Sequence, residues 1–307
     1  MRKGVFAAKS DGEWIEEPNI FVRKESGAYN AVCFEPAVAS SIFRGMLAPC
    51  VPCLLLWRLY IQGLRTEPPS IMDRTKRMPL LWLLQLSDSA LPIGGLSHSF
   101  GLEALVAGES LSVDALEAFL REYLEEIGSF EIHFCGAAFR LGFNVRDQFP
   151  IKQWLDLNLQ LSAFKLAREN RGASATLGRR FLRLVNGLIE APILTAAINT
   201  AQEMEAEIHH CAAFGLAGAA LGIEEESTLL AYGHQSLANL ISSCQRLLPL
   251  GQMQATRMLW ELKPLLAELV RLAREDDFDI EQAACFAPLL EVGSMRHPTL
   301  PTRLFIS

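Results

Sequence analysis

No stretch of this 307-residue sequence supplies the roughly 20 consecutive apolar residues that a membrane-spanning helix requires. The nearest approach, Met46 to Ile61 (MLAPCVPCLLLWRLYI), is broken by two prolines and by Arg58. A secretory signal is missing too, because Asp11, Glu13, Glu16 and Glu17 lie where a basic region should be. There is no surplus of positive charge. The 28 Lys and Arg face 35 Asp and Glu, a formal net charge of −7, which removes the electrostatic basis for nucleic-acid binding. Cysteine is sparse: Cys33, Cys50, Cys53, Cys135, Cys211, Cys244 and Cys285 have the scattered spacing of reduced, buried thiols, and Cys50-Val-Pro-Cys53 reads as incidental. A cytoplasmic protein without membrane contact is expected.

Two catalytic signatures are also lacking. No G-x-x-x-x-G-K-[ST] loop is present, so the chain has no ordinary cradle for a nucleoside triphosphate. No G-x-S-x-G elbow occurs either, although Gly95-Leu96-Ser97-His98-Ser99 comes near one.

What the sequence does have is apolar content, 50% of residues, enough for one large core or two modest ones. It is unevenly organised. Residues 1–78 carry eleven Lys and Arg against eight Asp and Glu and show no sustained helical or strand period, whereas the remainder carries seventeen against twenty-seven and turns strongly helical at Pro79. The break reads either as a linker-like leader or, the favoured explanation, as a natural start at Met72 or Met78. The expected organisation is an irregular leader over 1–78, a helical domain over 79–290 and a C-terminal tail over 291–307.

Helix periodicity carries the fold reading. Ser112 suits an N-cap, and Leu116, Phe119, Leu120, Tyr123, Leu124 and Ile127 form one apolar stripe at i, i+3, i+4 spacing. Pro150 opens the next helix, with Arg171-Gly172 as its end. Further helices are predicted at about Ala175–Ile189, Pro192–Thr200, His209–Leu221, Thr228–Leu248 and Gln252–Ala273. No run alternates with period two, so the expected class is all-α, a compact multi-helix bundle with an extended C-terminal tail. In CAAFGLAGAALG, residues 211–222, small side chains allow close helix crossings, the favoured reading, or a narrow passage.

The search for chemistry yields candidates without a constellation. Ser97 and Ser99 could serve a hydrolase only with a distant base; capping of a helix beginning near Ser97 is favoured. His209-His210 are helix neighbours about 100° apart and do not chelate as an i, i+4 pair does, so one is expected to pack and the other to face solvent. His133 reads as a hydrogen-bonded core residue, and His98, His234 and His297 are dispersed; no metal-ligand set is expected. Lys165, Arg168, Arg171, Arg179, Arg180 and Arg183 gather in KLARENRGASATLGRRFLRL, a solvated face or a docking surface for partner carboxylates.

Five blocks in order, LLWLLQLSDSALPIGGLSHSFGLE, RENRGASATLGRRFLRL, HHCAAFGLAGAALGI, LLPLGQMQATRML and MRHPTLPTRLFIS, resemble the signature segments of the urease accessory protein UreF family over Leu80 to Ser307. That resemblance implies an all-helical, non-catalytic protein that dimerises and binds UreD (UreH in some species) and the GTPase UreG. The assembly delivers nickel to apo-urease, GTP being bound by UreG alone and no cofactor being held stably here. It further implies that Met295, Arg296, His297, Arg303, Leu304, Phe305 and Ser307 lie against UreD/UreH. Pro298, Leu300, Pro301 and Ile306 depart from the family tail, M-R-H-E-T-Q-Y-S-R-L-F-R-S. By the same resemblance, Pro92, Gly94, Gly95, Ser97, His98, Ser99, Glu103, Arg168, Glu169, Arg171, Arg179 and Arg180 form the surface for UreG and the dimer, Glu103 being expected to pair with an arginine. The alternatives are a serine hydrolase using Ser97 or Ser99 and a metallochaperone that itself holds nickel, with His210 as a ligand.

Overall fold

The computed structural model describes residues 13–17, 20–25, 28–34, 71–145, 148–275, 285 and 287–307. The chain divides into two compact units, Met1–Arg74 and Thr75–Ser307. Met46–Ile61 and the Cys50/Cys53 spacing lie outside the described residues.

The first unit corrects the expectation of a leader without strands. It contains a three-stranded antiparallel meander, β1 (Glu13–Glu17), β2 (Ile20–Glu25) and β3 (Ala28–Phe34), in the order β1-β2-β3. Glu17 pairs with Ile20, and Glu25 with Ala28, so two residues separate each pair of strands. Strands of five to seven residues are too short for a period-two pattern to declare itself, and the adjacent Trp14 and Ile15 break the alternation in β1.

From Ile71 onward the described residues form an all-α, multi-helix bundle, as periodicity predicts. Its helices are α1 (Ile71–Leu86), α2 (Leu102–Ala107), α3 (Leu116–Tyr123), α4 (Ser129–Phe143), α5 (Ile151–Phe164) and α6 (Arg168–Ile189). There follow α7 (Pro192–Glu203), α8 (His210–Ala220), α9 (Glu225–Leu247), α10 (Gln252–Glu261), α11 (Lys263–Glu275) and α12 (Pro288–Arg296). No described helix is long and apolar enough to cross a membrane.

Several boundaries differ from the sequence reading. α1 begins before Pro79 and carries it within the helix. α3 passes through a π turn, Leu124–Gly128, into α4, and Ser112 lies outside it; the stripe from Leu116 to Leu124 nevertheless faces the core. The helix after Pro150 ends at Phe164, and Arg171-Gly172 lies inside α6. The interruption, Lys165–Ala167, is held by a long-range contact: the Ala167 amide donates to the Glu291 carboxylate at 2.5 Å.

The centre is α8. Cys211 to Gly218 are all buried, so the helix is apolar on every side and must be surrounded. Its small residues admit backbones. A Cβ on Gly215 would lie 2.0 Å from the Cys135 carbonyl oxygen of α4, and one on Gly218 would lie 2.5 Å from Thr228 of α9. On α6, a Cβ on Gly178 would lie 2.1 Å from the Ile208 carbonyl oxygen. Close crossing, the favoured reading of the Ala/Gly segment, is what the helix does. Phe181 and Phe214 stack beside this crossing with centroids 5.1 Å apart.

These glycines yield a paired prediction. Gly215→Ala should lower the free energy of urea unfolding by ~1–3 kcal/mol or more, because backbone must shift to admit the methyl group. Gly172→Ala, within α6 but with nothing inside 4 Å, should raise it by about 0.5–1 kcal/mol.

Candidate functional site

The residues expected at two partner surfaces meet in one place. After Leu91 the chain makes a tight turn in which Gly94 (φ 90°) and Gly101 (φ 90°) adopt left-handed conformations that favour glycine. A 3₁₀ turn, Gly95–Ser97, lies between them. Arg180 of α6 donates from Nη1 to the Ile93 carbonyl at 3.1 Å, and Arg246 of α9 donates to the Leu96 carbonyl at 2.7 Å. The turn is therefore pinned from two helices.

The C-terminal segment returns onto this turn. After α12 a second 3₁₀ turn, His297–Thr299, leads into extended residues that end beside Ser97 and Ser99. The Ile306 amide donates to the Ser97 carbonyl at 2.9 Å, and the Ser99 amide to the Ser307 carbonyl at 2.5 Å. The Ser99 hydroxyl donates to that same carbonyl at 3.0 Å, and His98 Nδ1 lies 2.7 Å from Ser307 Oγ. Of the tail expected to be extended over 291–307, residues 291–296 belong to α12 and 297–299 to the 3₁₀ turn, and the remainder is docked on its own domain.

Glu103, on the first turn of α2, organises the contact. Its Oε1 accepts from the Leu304 amide at 2.5 Å, and its Oε2 accepts from the Phe305 amide at 3.0 Å and lies 2.9 Å from His297 Nε2. Burial pushes this carboxyl up, but the two tail amides and the His297 ring outweigh it and hold Glu103 below its ordinary value. Among the described residues its partners are these two amides and the His297 ring and no arginine, which corrects the expected pairing. The other ring nitrogen of His297, Nδ1, lies 2.7 Å from Glu169 Oε2 on α6. Further back, Ser294 Oγ donates to Asn170 Oδ1 at 2.7 Å, and the backbones of α2 and α12 touch, a Cβ on Gly293 lying 2.8 Å from the Gly101 carbonyl oxygen.

Exposure sorts the predicted site residues. His297, Phe305 and Ser307 are buried, as are Gly95, His98, Ser99 and Glu103. Met295 (53% exposed) and Leu304 (55%) face outward with Arg296, Arg303, Pro92, Arg168, Arg179 and Arg180, while Gly94, Ser97, Glu169 and Arg171 are half-buried. The arginine-rich block does not act as one patch. Lys165 forms a buried ion pair with Glu131 at 2.5 Å, Arg171 approaches Glu207 at 3.9 Å and Arg180 holds the turn, leaving Arg168, Arg179 and Arg183 on the solvent side. Besides Ser294 and Asn170, two participants escaped the sequence reading. Arg246, whose guanidinium also lies 4.3 Å over the Phe305 ring, and Glu291 act on segments remote in sequence, so no local pattern marks either.

Other candidates take different roles. Ser99 does not cap a helix; its fully buried hydroxyl is donated to Ser307. Neither member of His209-His210 simply faces solvent. His209 is wholly enclosed, with its ring nitrogens 3.1 Å from Ser174 Oγ and 2.9 Å from Ser162 Oγ, and burial pulls its pKa down to about 3. The His210 ring packs among Phe181, Phe214 and Tyr232, and burial lowers it to about 4. It borders a cavity of about 180 Å³ that also meets Glu131, Lys165, Tyr232 and Asn239. His133 Nδ1 donates to the Ser129 carbonyl at 2.8 Å, as a bonded core residue does. Cys135, Cys211, Cys244 and Cys285 are free thiols, and burial pushes the Cys285 thiol up to about 11. Among the described residues, no three His, Cys, Asp or Glu side chains are grouped to hold a metal ion.

Removing Glu103 tests this geometry. Glu103→Ala leaves two tail amides and Nε2 of the buried His297 ring unpartnered, a loss of ~3–5 kcal/mol by analogy with broken buried ion pairs. Carboxypeptidase should then trim the last residues of the variant much faster than those of the parent, with helix content by circular dichroism unchanged.

The chain is similar in sequence to known proteins. A sequence model of the UreF family matches residues 111–263. Urease accessory protein UreF of Lachnoclostridium phytofermentans is 32% identical over 232 residues, covering 74% of this chain and 98% of the relative. The Haemophilus influenzae (strain PittGG) and Geobacillus kaustophilus proteins of the same name are 32% and 30% identical, covering 94% and 98% of their own lengths and 73% and 74% of this chain. A helical body matched over nearly the full length of such relatives places this chain in the urease accessory protein UreF family.

Proposed function

We propose that this protein is a cytoplasmic, non-enzymatic urease maturation factor that links UreD/UreH to the GTPase UreG and assists nickel delivery into apo-urease as a homodimer. Nickel is cargo in this reading, GTP belongs to UreG, and the chain holds no resident cofactor. The observation that carries the proposal is the docking of the C-terminal segment on the Pro92–Glu103 turn in a protein of the UreF family. A folded tail presents a defined face, whereas a free one would have to be ordered on binding, at a cost in conformational entropy.

The division of labour within the site follows from exposure. Met295, Arg296, Arg303 and Leu304 are the contact residues for UreD/UreH, joined by Ile306, which is 68% exposed. His297, Phe305 and Ser307 position them from beneath. On the UreG and dimer side, Arg168 and Arg179 offer guanidinium donors to partner carboxylates. Gly94, Gly95, Ser97, His98, Ser99, Glu103, Glu169 and Arg180 fix the shape on which Pro92 is presented, with Arg171 at its edge. The departures Pro298, Leu300 and Pro301 leave Phe305 and its guanidinium lid in place.

Co-expression with UreD and UreG supplies the test. The full chain should co-purify with both, and deletion of Arg303–Ser307 should abolish UreD capture and weaken UreG capture, because the turn loses its support. Arg179→Glu should reduce UreG capture about tenfold, equivalent to about 1.4 kcal/mol, with helix content unchanged. Full retention of both partners by the truncated protein would contradict the assignment, as would turnover of an ester substrate lost in Ser99→Ala.

A further inference from the structure

His297 is fully buried, yet both of its ring nitrogens meet carboxylate oxygens on different helices: Nε2 to Glu103 of α2 at 2.9 Å, and Nδ1 to Glu169 of α6 at 2.7 Å. An ionised carboxylate only accepts hydrogen bonds, and a neutral imidazole has a single N–H. Two such contacts therefore need one more proton than a neutral histidine and two carboxylates possess between them. The nitrogens point to opposite sides of the ring, so the two carboxylates bracket it and do not converge with it as metal ligands would.

We propose that docking of residues 297–307 takes up a proton at the Glu103–His297–Glu169 bracket, so that the C-terminal segment is a pH-dependent latch whose hold weakens as pH rises. The imidazolium donates to both helices and screens two carboxylates that would otherwise face each other across a dry ring. Once the second N–H is lost, one nitrogen lone pair confronts a carboxylate. Glu103 then keeps its two amide bonds to Leu304 and Phe305 but loses its link to α6 through the ring.

The other ionisable groups on the elements packed here are Arg168, Arg171, Arg179, Arg180 and Arg183 on α6, Glu225, Glu226, His234 and Arg246 on α9, His98 in the turn, Glu291 and Arg296 on α12, and Arg303 in the tail. Both ring nitrogens of His297 are already engaged, so none of these replaces the bracket. The acid limb has the opposite sign. Glu103 is held below its ordinary value in the docked state, so its contribution is present above that value and lost as pH falls through the lowered one. On the acid side the latch is therefore bounded by Glu103. This inference concerns the isolated chain and does not depend on which partners it binds.

Hydrogen–deuterium exchange of the full chain from about pH 6 to about pH 9, corrected for the intrinsic rate, reads the latch directly. Protection of peptides covering 297–307 should be level at the acid end and then fall, approaching tenfold per pH unit for a one-proton linkage. Peptides from α8 should not change in step. Glu169→Gln replaces an obligate acceptor by an amide that can donate to a neutral imidazole, so it should keep the segment docked and reduce the slope to less than about twofold across the range. A constant protection in the parent, an unchanged slope in Glu169→Gln, or a parallel loss in α8 would overturn the proposal.

Discussion

A single buried carboxylate joins the two ends of the helical domain. Glu103 accepts from two amides of the C-terminal segment and meets the His297 ring, while its own helix starts at the turn on which that segment rests. Burying a carboxylate is costly unless its lone pairs are satisfied, and here three partners satisfy them. The turn is likewise incomplete alone, because Ser97, Ser99 and His98 direct polar groups at Ile306 and Ser307. Neither the turn nor the tail is thus an independent surface.

The bundle's contribution is to hold the framework of this contact still. α8 brings α4, α6 and α9 close together because Gly215, Gly178 and Gly218 leave room for backbone or side chain at the crossings. α6 then carries Glu169, Asn170 and Arg180 to the site, and α9 carries Arg246. A shift at the α8 crossings would move the donors and acceptors that meet the tail. Packing and recognition are linked through rigid helices, a link that the small-residue composition of α8 makes possible.

Much of the fold was legible because amphipathic periodicity is a local signal. The stripe from Leu116 to Leu124 and the uniformly apolar Cys211–Gly218 segment are buried as read. Boundaries set by distant partners were not legible: the break at Lys165–Ala167 depends on Glu291, 124 positions away from Ala167. For the candidate site, family resemblance marked both the turn and the tail, but treated them as faces for different partners. Their union rests on bonds spanning about 200 residues, such as Ser99 to Ser307 and Glu103 to Phe305, which no spacing rule reveals. The arginine block misled for a related reason. Similar residues in one stretch of sequence met different surroundings, so Lys165 went to an ion pair with Glu131, Arg180 to a carbonyl and Arg179 to solvent.

The central claim is that Glu103 and the last residues stabilise the protein through each other. A double-mutant cycle in urea unfolding, combining Glu103→Ala with deletion of Leu304–Ser307, measures that coupling directly. The account predicts strong non-additivity, with a coupling of about 2 kcal/mol, because either change alone removes the same contact. Additivity to within about 0.5 kcal/mol would mean that the tail and the Glu103 turn stand independently, and would contradict it.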